Sequence, residues 1–184
     1  MREIAYGEIV KSVKDMILFS ATNLPKDAYK ALEDAYANEK SEVCRAVLKQ
    51  ILENADIAKD EARPLCQDTG LAVFFVKVGE DVKVVGGSLK KAINEGTELG
   101  YKEGYLRAST CHWDTRANLK DEVGYNLPAI IHFDIVEGDK IEIEYAAKGG
   151  GSENVSRATV FPPAKGRQGI IDYVKQVRSS HKDN

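Results

Sequence analysis

Apolar residues in the first sixty positions of this 184-residue chain recur at the spacing of an α-helix. Steps of three and four residues put one stripe on a helix of about four turns. The stripe positions are Ile9, Val13, Met16, Ile17 and Ser20. Pro25 favours the start of a second helix, Lys26 to Ala37, because proline fits the first helical turn. The chain is therefore expected to begin with two helices.

A third helix is predicted after Ser41, whose hydroxyl suits an N-cap position. Its apolar positions repeat every four residues and give one face that we expect to pack inward. They are Val43, Val47, Ile51 and Ala55. Cys44 lies beside this face and is interpreted as a core residue. Residues 1–62 are thus predicted to form a helical layer.

The pattern changes at Arg63-Pro64, because proline biases the residue before it towards an extended conformation. Leu71 to Val78 is a run of apolar, β-branched and aromatic residues, which is typical of a buried strand. After the break at Gly86-Gly87-Ser88, the spacing of apolar residues predicts a helix from Leu89 to about Tyr101. Gly96 weakens that helical pattern.

Strict alternation of apolar and polar residues gives the clearest local pattern. The apolar positions of the two alternating runs are Ile131, Phe133, Ile135, Ile141, Ile143 and Tyr145. Glu137-Gly138-Asp139 separates the runs and is typical of a turn. The pattern predicts an antiparallel hairpin with one buried face.

These elements predict an α+β fold, in which an N-terminal helical layer packs on a small, mostly antiparallel sheet with further helices. The length predicts a single domain over residues 1–184. Within it, residues 1–62 form the helical lead, and residues 63–184 carry the strands, helices and polar motifs. A last helix is expected around Ile170 to Val177, before a polar tail that contains His181.

Charge and cysteine content narrow the function classes. The 26 basic and 29 acidic residues give a net charge of −3, so nucleic acid is not an expected partner. No apolar run approaches the roughly 18 residues of a membrane span, so we expect a cytoplasmic protein without a membrane partner. Three cysteines without a CxxC pair disfavour a disulfide framework and a zinc site. They are free thiols or cluster ligands.

Cys66-Gln67-Asp68-Thr69-Gly70 precedes the predicted buried strand and brings together a thiol, an amide, a carboxylate and a hydroxyl. Such a set suits ligand binding and acid–base chemistry. The alternative is a turn with a side-chain cap and a buried, inert cysteine.

Two more segments are candidates for ligand binding. Gly149, Gly150 and Gly151 allow close backbone approach and a nest of N–H donors for a carboxylate or phosphate, or they form a flexible connector. Arg107 could fork onto a substrate carboxylate, or it is one of many surface arginines. His132 is interpreted as a structural histidine.

Four segments in this order resemble the class I, iron-sulfur-dependent fumarate hydratases and the related tartrate dehydratases. The resemblance is to the α subunit or to the N-terminal domain of single-chain members, and it covers nearly the whole chain. The segments are PLCQDTG, LRASTCH, NLPAIIHFDIVEGDKIEI and KGGGSEN.

The resemblance implies a hydro-lyase that reversibly hydrates or dehydrates a four-carbon dicarboxylate, with a [4Fe-4S] cluster held by three cysteines. By resemblance, Cys66 is the first cluster ligand, and Gln67 and Asp68 are catalytic groups that contact the substrate, with Asp68 a candidate acid. Arg107 is similar to the family's carboxylate clamp, and Gly149 to Gly151 to a loop that closes over the substrate. A β subunit or C-terminal domain would supply the catalytic base, in a dimer or hetero-oligomer.

The chain also departs from the family pattern. The other two cluster cysteines are expected in a continuation beyond Asn184, while Cys44 and Cys111 fall where the motifs place no ligand. The chain is therefore expected to be a short or truncated subunit. It is either the N-terminal portion of an assembled hydro-lyase or a non-catalytic remnant that binds a dicarboxylate or a partner subunit. The choice among fumarate, tartrate and methylated analogues stays open.

A further expectation concerns three aromatic residues near Arg107. Tyr101, Tyr105 and Trp113 lie in or next to a segment without core periodicity. They are candidates for a partner-binding surface, with closure of the core as the alternative.

Overall fold

The computed structural model describes residues 1–151 and 156–180. The chain divides into two compact units, Met1–Gly149 and Gly150–Asn184, which are described here one at a time. The expectation of a single domain over residues 1–184 stays a prediction. None of the helices in the described ranges has both the length and the apolar character needed to cross a membrane.

The first unit begins with a short strand and three helices. These are β1 (Arg2–Ala5), α1 (Tyr6–Thr22), α2 (Lys26–Asn38) and α3 (Glu42–Asp60). The three predicted helices are confirmed, and the Ser41 hydroxyl accepts a hydrogen bond from the backbone N–H of Cys44 at 3.5 Å. The strand β1 was not predicted, because its four residues are too few to show a period.

The expected inward face of α3 is largely wrong. Ala55 is buried, but Val43, Val47 and Ile51 are exposed. Cys44 is also exposed rather than part of the core. Periodicity identifies which residues share a helix face, and it cannot show whether a neighbouring element covers that face.

The remaining elements of this unit are β2 (Leu71–Gly79), β3 (Val82–Val85), α4 (Leu89–Glu103), α5 (Lys120–Val123), β4 (Ile130–Val136) and β5 (Ile141–Lys148). The α+β class is confirmed, and so are the predicted strand β2 and helix α4. The Ser88 hydroxyl caps α4 by accepting from the Lys91 N–H at 3.2 Å.

The two alternating runs form strands β4 and β5, but they do not pair with each other. Both pair with β2, which lies between them, so the strand order is β4-β2-β5. β2 runs parallel to β4 and antiparallel to β5, and β1 pairs in parallel with β3. The predicted hairpin is therefore wrong, and the sheet is mixed rather than mostly antiparallel.

β4 and β5 do not pair with each other because the segment that joins them crosses the end of β2. Backbone N–H groups at the end of β2 donate to this crossing segment, from Gly79 to the Lys140 carbonyl at 2.8 Å and from Asp81 to the Gly138 carbonyl at 2.9 Å. The crossing spans two strand spacings, about 10 Å, which four residues can bridge. Alternation and turn residues set the opposite directions of the two strands but not whether they are neighbours.

The core lies between α1, α4 and the inner face of β2. Its innermost side chains, each at most 1% exposed, are Val13, Ile17, Phe74, Val76, Ile93 and Tyr101. Burial of side chains of this size contributes about 1.5–3 kcal/mol each. The inner face is not covered at the β4 edge, where Ile135 is 72% exposed, so the predicted buried face holds only in part.

Among the described residues of the second unit, a 3-10 turn at Pro163–Lys165 leads into helix α6 (Gly166–Ser180). The predicted last helix is thus confirmed. Tyr173 packs edge-on against Phe161, with 5.4 Å between the ring centroids. His181 lies outside the described residues.

Gly96 allows α1 and α4 to approach closely. A Cβ added at this position would lie 2.7 Å from the Val10 carbonyl oxygen and 2.8 Å from the Val13 Cβ. Both distances are too short for non-bonded atoms in contact, and the Val10 oxygen belongs to the backbone. The glycine that weakened the helical pattern is therefore required for helix packing.

We expect Gly96→Ala to destabilise the protein. The added methyl group overpacks the helix interface at about 1–3 kcal/mol, which exceeds the gain of about 1 kcal/mol in helix propensity. A lower midpoint in urea unfolding followed by circular dichroism would confirm this.

Gly7→Ala is the matched control, because Gly7 also lies in a helix and nothing stands within 4 Å of an added Cβ. It should leave stability unchanged or raise it by up to about 1 kcal/mol. Equal effects of the two substitutions would contradict the packing role of Gly96.

Candidate functional site

The start of the Cys66 to Gly70 segment is anchored to two helices, at the end of α1 and within α3. The backbone N–H of Leu65 donates to the Ala21 carbonyl at 2.9 Å, and its carbonyl accepts from the Asn54 side chain at 2.9 Å. The segment then leads directly into β2. These bonds fix the start of the motif, while Cys66, Gln67 and Asp68 themselves are exposed.

Cys66 and Asp68 line one cavity of about 160 Å³, together with Thr69, Leu106 and Tyr145. The Cys66 thiol lies 3.8 Å from the Asp68 carbonyl oxygen and can donate to it. The alternative of a buried cysteine is therefore wrong, because Cys66 is exposed. A thiol and a carboxylate face the same small space, one wall of which is apolar.

The second motif reaches this cavity through the backbone. The N–H of Arg107 donates to the Thr69 hydroxyl at 2.8 Å, and the neighbouring Leu106 lines the cavity. Thr69 is buried, whereas Arg107 is exposed. The structure thus joins the PLCQDTG and LRASTCH segments at one point and leaves Arg107 exposed.

The third motif begins against Asp68. A Cβ added at Gly149 would collide with the Asp68 carboxylate, so only glycine fits there without moving it. Gly150 and Gly151 belong to the second unit. The remainder of the loop, Ser152 to Asn154, lies outside the described residues.

Two tyrosines, the buried Tyr101 and the partly buried Tyr145, lie next to the first motif. The Tyr101 hydroxyl donates to the Gly70 carbonyl at 3.4 Å, and Tyr101 has no exposed surface. Burial, strengthened by the adjacent Tyr145, raises the pKa of the Tyr101 phenol well above its usual value, and burial also raises the pKa of Tyr145. Tyr101 thus closes the core, whereas Tyr105 and Trp113 are 92% and 82% exposed.

One buried polar residue of the site, Asn126, was not recognised from the sequence as functional. Its side chain bonds to the Gly70 carbonyl at 2.8 Å and to the Arg107 carbonyl at 3.1 Å. Only its position before Leu127-Pro128, in a polar segment without a period, distinguishes it in the sequence.

The described cysteines do not assemble into a cluster site. Cys44, Cys66 and Cys111 are all exposed free thiols. Within residues 1–151 and 156–180, no three His, Cys, Asp or Glu side chains come together in a way that could hold a metal ion. The described residues therefore do not fit a [4Fe-4S] cluster by themselves, although Cys66 lies in the cavity beside Asp68.

His132 lies away from this cavity on the outer face of the sheet. Its ring stacks on Phe75 with 5.1 Å between the centroids. Both residues are exposed. The site as described thus contains no histidine.

Comparison with known proteins agrees with these motifs. The family model described as fumarate hydratase (Fumerase) matches residues 10–183. A Methanocaldococcus jannaschii protein named "Putative L(+)-tartrate dehydratase subunit alpha" is 39% identical over 88% of this chain and 58% of its own length. The L(+)-tartrate dehydratase subunit alpha of Escherichia coli is 28% identical over 94% of this chain and 57% of its own length. A Geobacillus stearothermophilus protein named "Putative fumarate hydratase class I" is 34% identical over 80% of this chain and 28% of its own length.

The match of the family model over most of the chain defines the class of this domain. The chain belongs to the fumarate hydratase (Fumerase) family. It spans less than two thirds of the length of the three relatives.

The buried Tyr101 phenol predicts a loss of stability at alkaline pH. Its folded-state pKa lies above the value of 10.0 for an unfolded chain, so the free energy of unfolding is unaffected below about pH 10 and falls as the pH rises further. We expect Tyr101→Phe to flatten this decline by about 1 kcal/mol per pH unit. Urea unfolding at pH 9, 10 and 11 measures the slope.

Tyr105→Phe is the control, because Tyr105 is 92% exposed and lies outside the core. It should decline with pH as the wild type does. A Tyr101→Phe slope equal to that of wild type would show that the buried phenol does not control alkaline stability.

Proposed function

We propose that this chain is the α-type, or N-terminal, portion of an iron-sulfur hydro-lyase that acts on a four-carbon dicarboxylate. The reaction would interconvert fumarate and malate or convert tartrate to oxaloacetate. The observation that carries the proposal is the convergence of three motifs on Asp68 and Thr69, which line one cavity. The Arg107 N–H bonds to Thr69 and Gly149 lies against the Asp68 carboxylate, in a chain of the fumarate hydratase family.

The proposed roles follow from the chemistry of each group. Asp68 presents a carboxyl group at the cavity and acts as the acid. The Arg107 guanidinium binds a substrate carboxylate through two parallel N–H groups. The Gln67 amide contacts the substrate, and backbone N–H groups of Gly149 to Gly151 bind its second anionic end.

The proposed enzyme also needs groups that the described residues do not supply. Cys66 would contribute one thiolate to the [4Fe-4S] cluster, so the other ligands would come from elsewhere in the complete protein. We propose that a β subunit or C-terminal domain supplies the base. The exposure of Cys66, Gln67 and Asp68 supports this view, because a second polypeptide can cover them.

A second candidate function is that of a non-catalytic remnant that keeps the fold and binds a dicarboxylate or a partner subunit. The observation that favours it is the lack of three clustered ligands among residues 1–151 and 156–180. Joint retention of the site groups favours the catalytic proposal, because a remnant without catalysis does not need all of them.

Reassembly tests the catalytic proposal. Anaerobic co-expression with a β-type subunit and an α segment that carries the missing cysteines should give hydro-lyase activity on malate or tartrate. Asp68→Asn and Arg107→Ala should each lower kcat/KM by about 100-fold, because each removes a group that acts on the substrate.

Asp134→Asn and Arg45→Ala are matched controls on the exposed face of β4 and on α3, and they should keep activity. Full activity of Asp68→Asn would remove the acid role. If no combination of segments is active while the chain folds alone, the remnant function is correct.

The chain alone should bind dicarboxylates weakly. A forked guanidinium and backbone N–H donors support a Kd on the order of millimolar. Titration with L-malate or L-tartrate should shift the backbone amide signals of Asp68, Arg107 and residues 148–151, with Arg45→Ala as a binding-competent control. Unmoved signals at tens of millimolar ligand, about ten times that Kd, would contradict a carboxylate site.

A further inference from the structure

Asn126 joins two motif segments that are far apart in the sequence. Its side-chain N–H groups face the carbonyls of Gly70 at 2.8 Å and Arg107 at 3.1 Å, and the Ser109 hydroxyl at 3.2 Å. Its side-chain oxygen accepts from the Ser109 N–H at 2.7 Å and from the N–H and hydroxyl of Thr110, each at 3.0 Å. The residue is 1% exposed.

The chemistry of this position is specific for asparagine. The amide supplies donors to carbonyl oxygens at one end and an acceptor to N–H groups at the other, which neither aspartate nor leucine can do. The backbone of Asn126 has a φ of 56°, a left-handed conformation that asparagine tolerates better than most residues. Both the side chain and the backbone therefore fit asparagine.

The bonds of Asn126 fix the distance between the two motifs. Gly70 ends the PLCQDTG segment, which carries Asp68, and Arg107 lies at the start of the LRASTCH segment. The bond from the Arg107 N–H to Thr69 ties the same two segments, so Arg107 is held through both its N–H and its carbonyl. A hydrogen-bonded backbone is a rigid base from which the arginine side chain reaches out.

We propose that Asn126 is a positioning residue that holds the Arg107 backbone against the Cys66 to Gly70 segment, so that the Arg107 guanidinium and Asp68 contact the same dicarboxylate molecule. This inference rests on the proposed function. A small displacement of a substrate-binding group lowers binding and rate strongly, even when the residue that causes it touches no substrate.

Two substitutions separate the donor from the whole side chain. Asn126→Asp keeps the acceptor for Ser109 and Thr110 but places an oxygen against the Gly70 and Arg107 carbonyls. Asn126→Gly removes every side-chain bond and keeps the left-handed backbone. Circular dichroism and urea unfolding first establish that each full-length variant is folded.

Two asparagines of the same unit serve as controls. Asn118→Ala removes a bond of 2.7 Å to the Ala108 carbonyl, in the Arg107 segment, without cutting the link to Gly70. Asn94→Ala removes the acceptor of a 2.9 Å hydrogen bond from the Ala129 N–H. It controls for the loss of a partly buried hydrogen bond that does not involve Arg107.

The first measurement needs no ligand. Amide hydrogen exchange at Arg107 should be about tenfold faster or more in both Asn126 variants, because its bond to Thr69 opens when the two segments separate. It should stay near the wild-type rate in Asn94→Ala and Asn118→Ala. Unchanged exchange in the folded Asn126 variants would overturn the proposal.

The second measurement is the titration of the full chain with L-malate or L-tartrate. The Kd should rise by about tenfold or more in the Asn126 variants and stay within about twofold in the controls. Equal Kd values in wild type and Asn126 variants would contradict the positioning role of Asn126 and leave the proposed function intact. A wild type that binds neither compound would contradict the proposed site and, with it, the role of Asn126 in positioning a ligand group.

Discussion

Strand β2 is paired along both edges, and the geometry of the candidate site depends on the register of those two pairings. Leu71 pairs with Lys148 of β5, and this places Gly149 beside the residues that precede β2. Val73 pairs with Ile130 of β4, so the segment before β4, which includes Asn126, returns to the same end. A one-residue slip in either pairing would invert the faces of a strand and separate the motifs. Backbone hydrogen bonding thus brings together segments about eighty residues apart.

Beneath this end of the sheet the side chains are buried, and above it the reactive groups are exposed. Tyr101 and Phe74 have no exposed surface, while Cys66 and Asp68 lie at the cavity above them. Buried hydrogen bonds hold the backbone of the motif segments, and these bonds are strong where water is excluded. The reactive side chains are left in contact with solvent, an arrangement that suits a site completed by another polypeptide under the proposed function.

Two glycines of this protein leave room for neighbouring groups, for two different purposes. At position 96 it lets two helices approach, and at position 149 it leaves room for the Asp68 carboxylate. Gly96 serves the packing of α1 against α4, and under the proposed function Gly149 serves the substrate site. Both follow from the missing Cβ, and the sequence alone does not distinguish them from glycines of a flexible loop.

The sequence by itself determined the helices α1 to α4 and α6, the strand β2, the alternating runs and the segments that carry the family motifs, because period, capping residues and motif spacing are local properties. Only the tertiary structure decided that β4 and β5 flank β2, that Val43 and Val47 of α3 are exposed, and that Tyr101 closes the core. It also decided the position of Asn126, whose partners lie 16 to 56 residues away. Strand neighbours, face coverage and long-range hydrogen bonds depend on how distant segments pack, and no local pattern in one sequence encodes that packing.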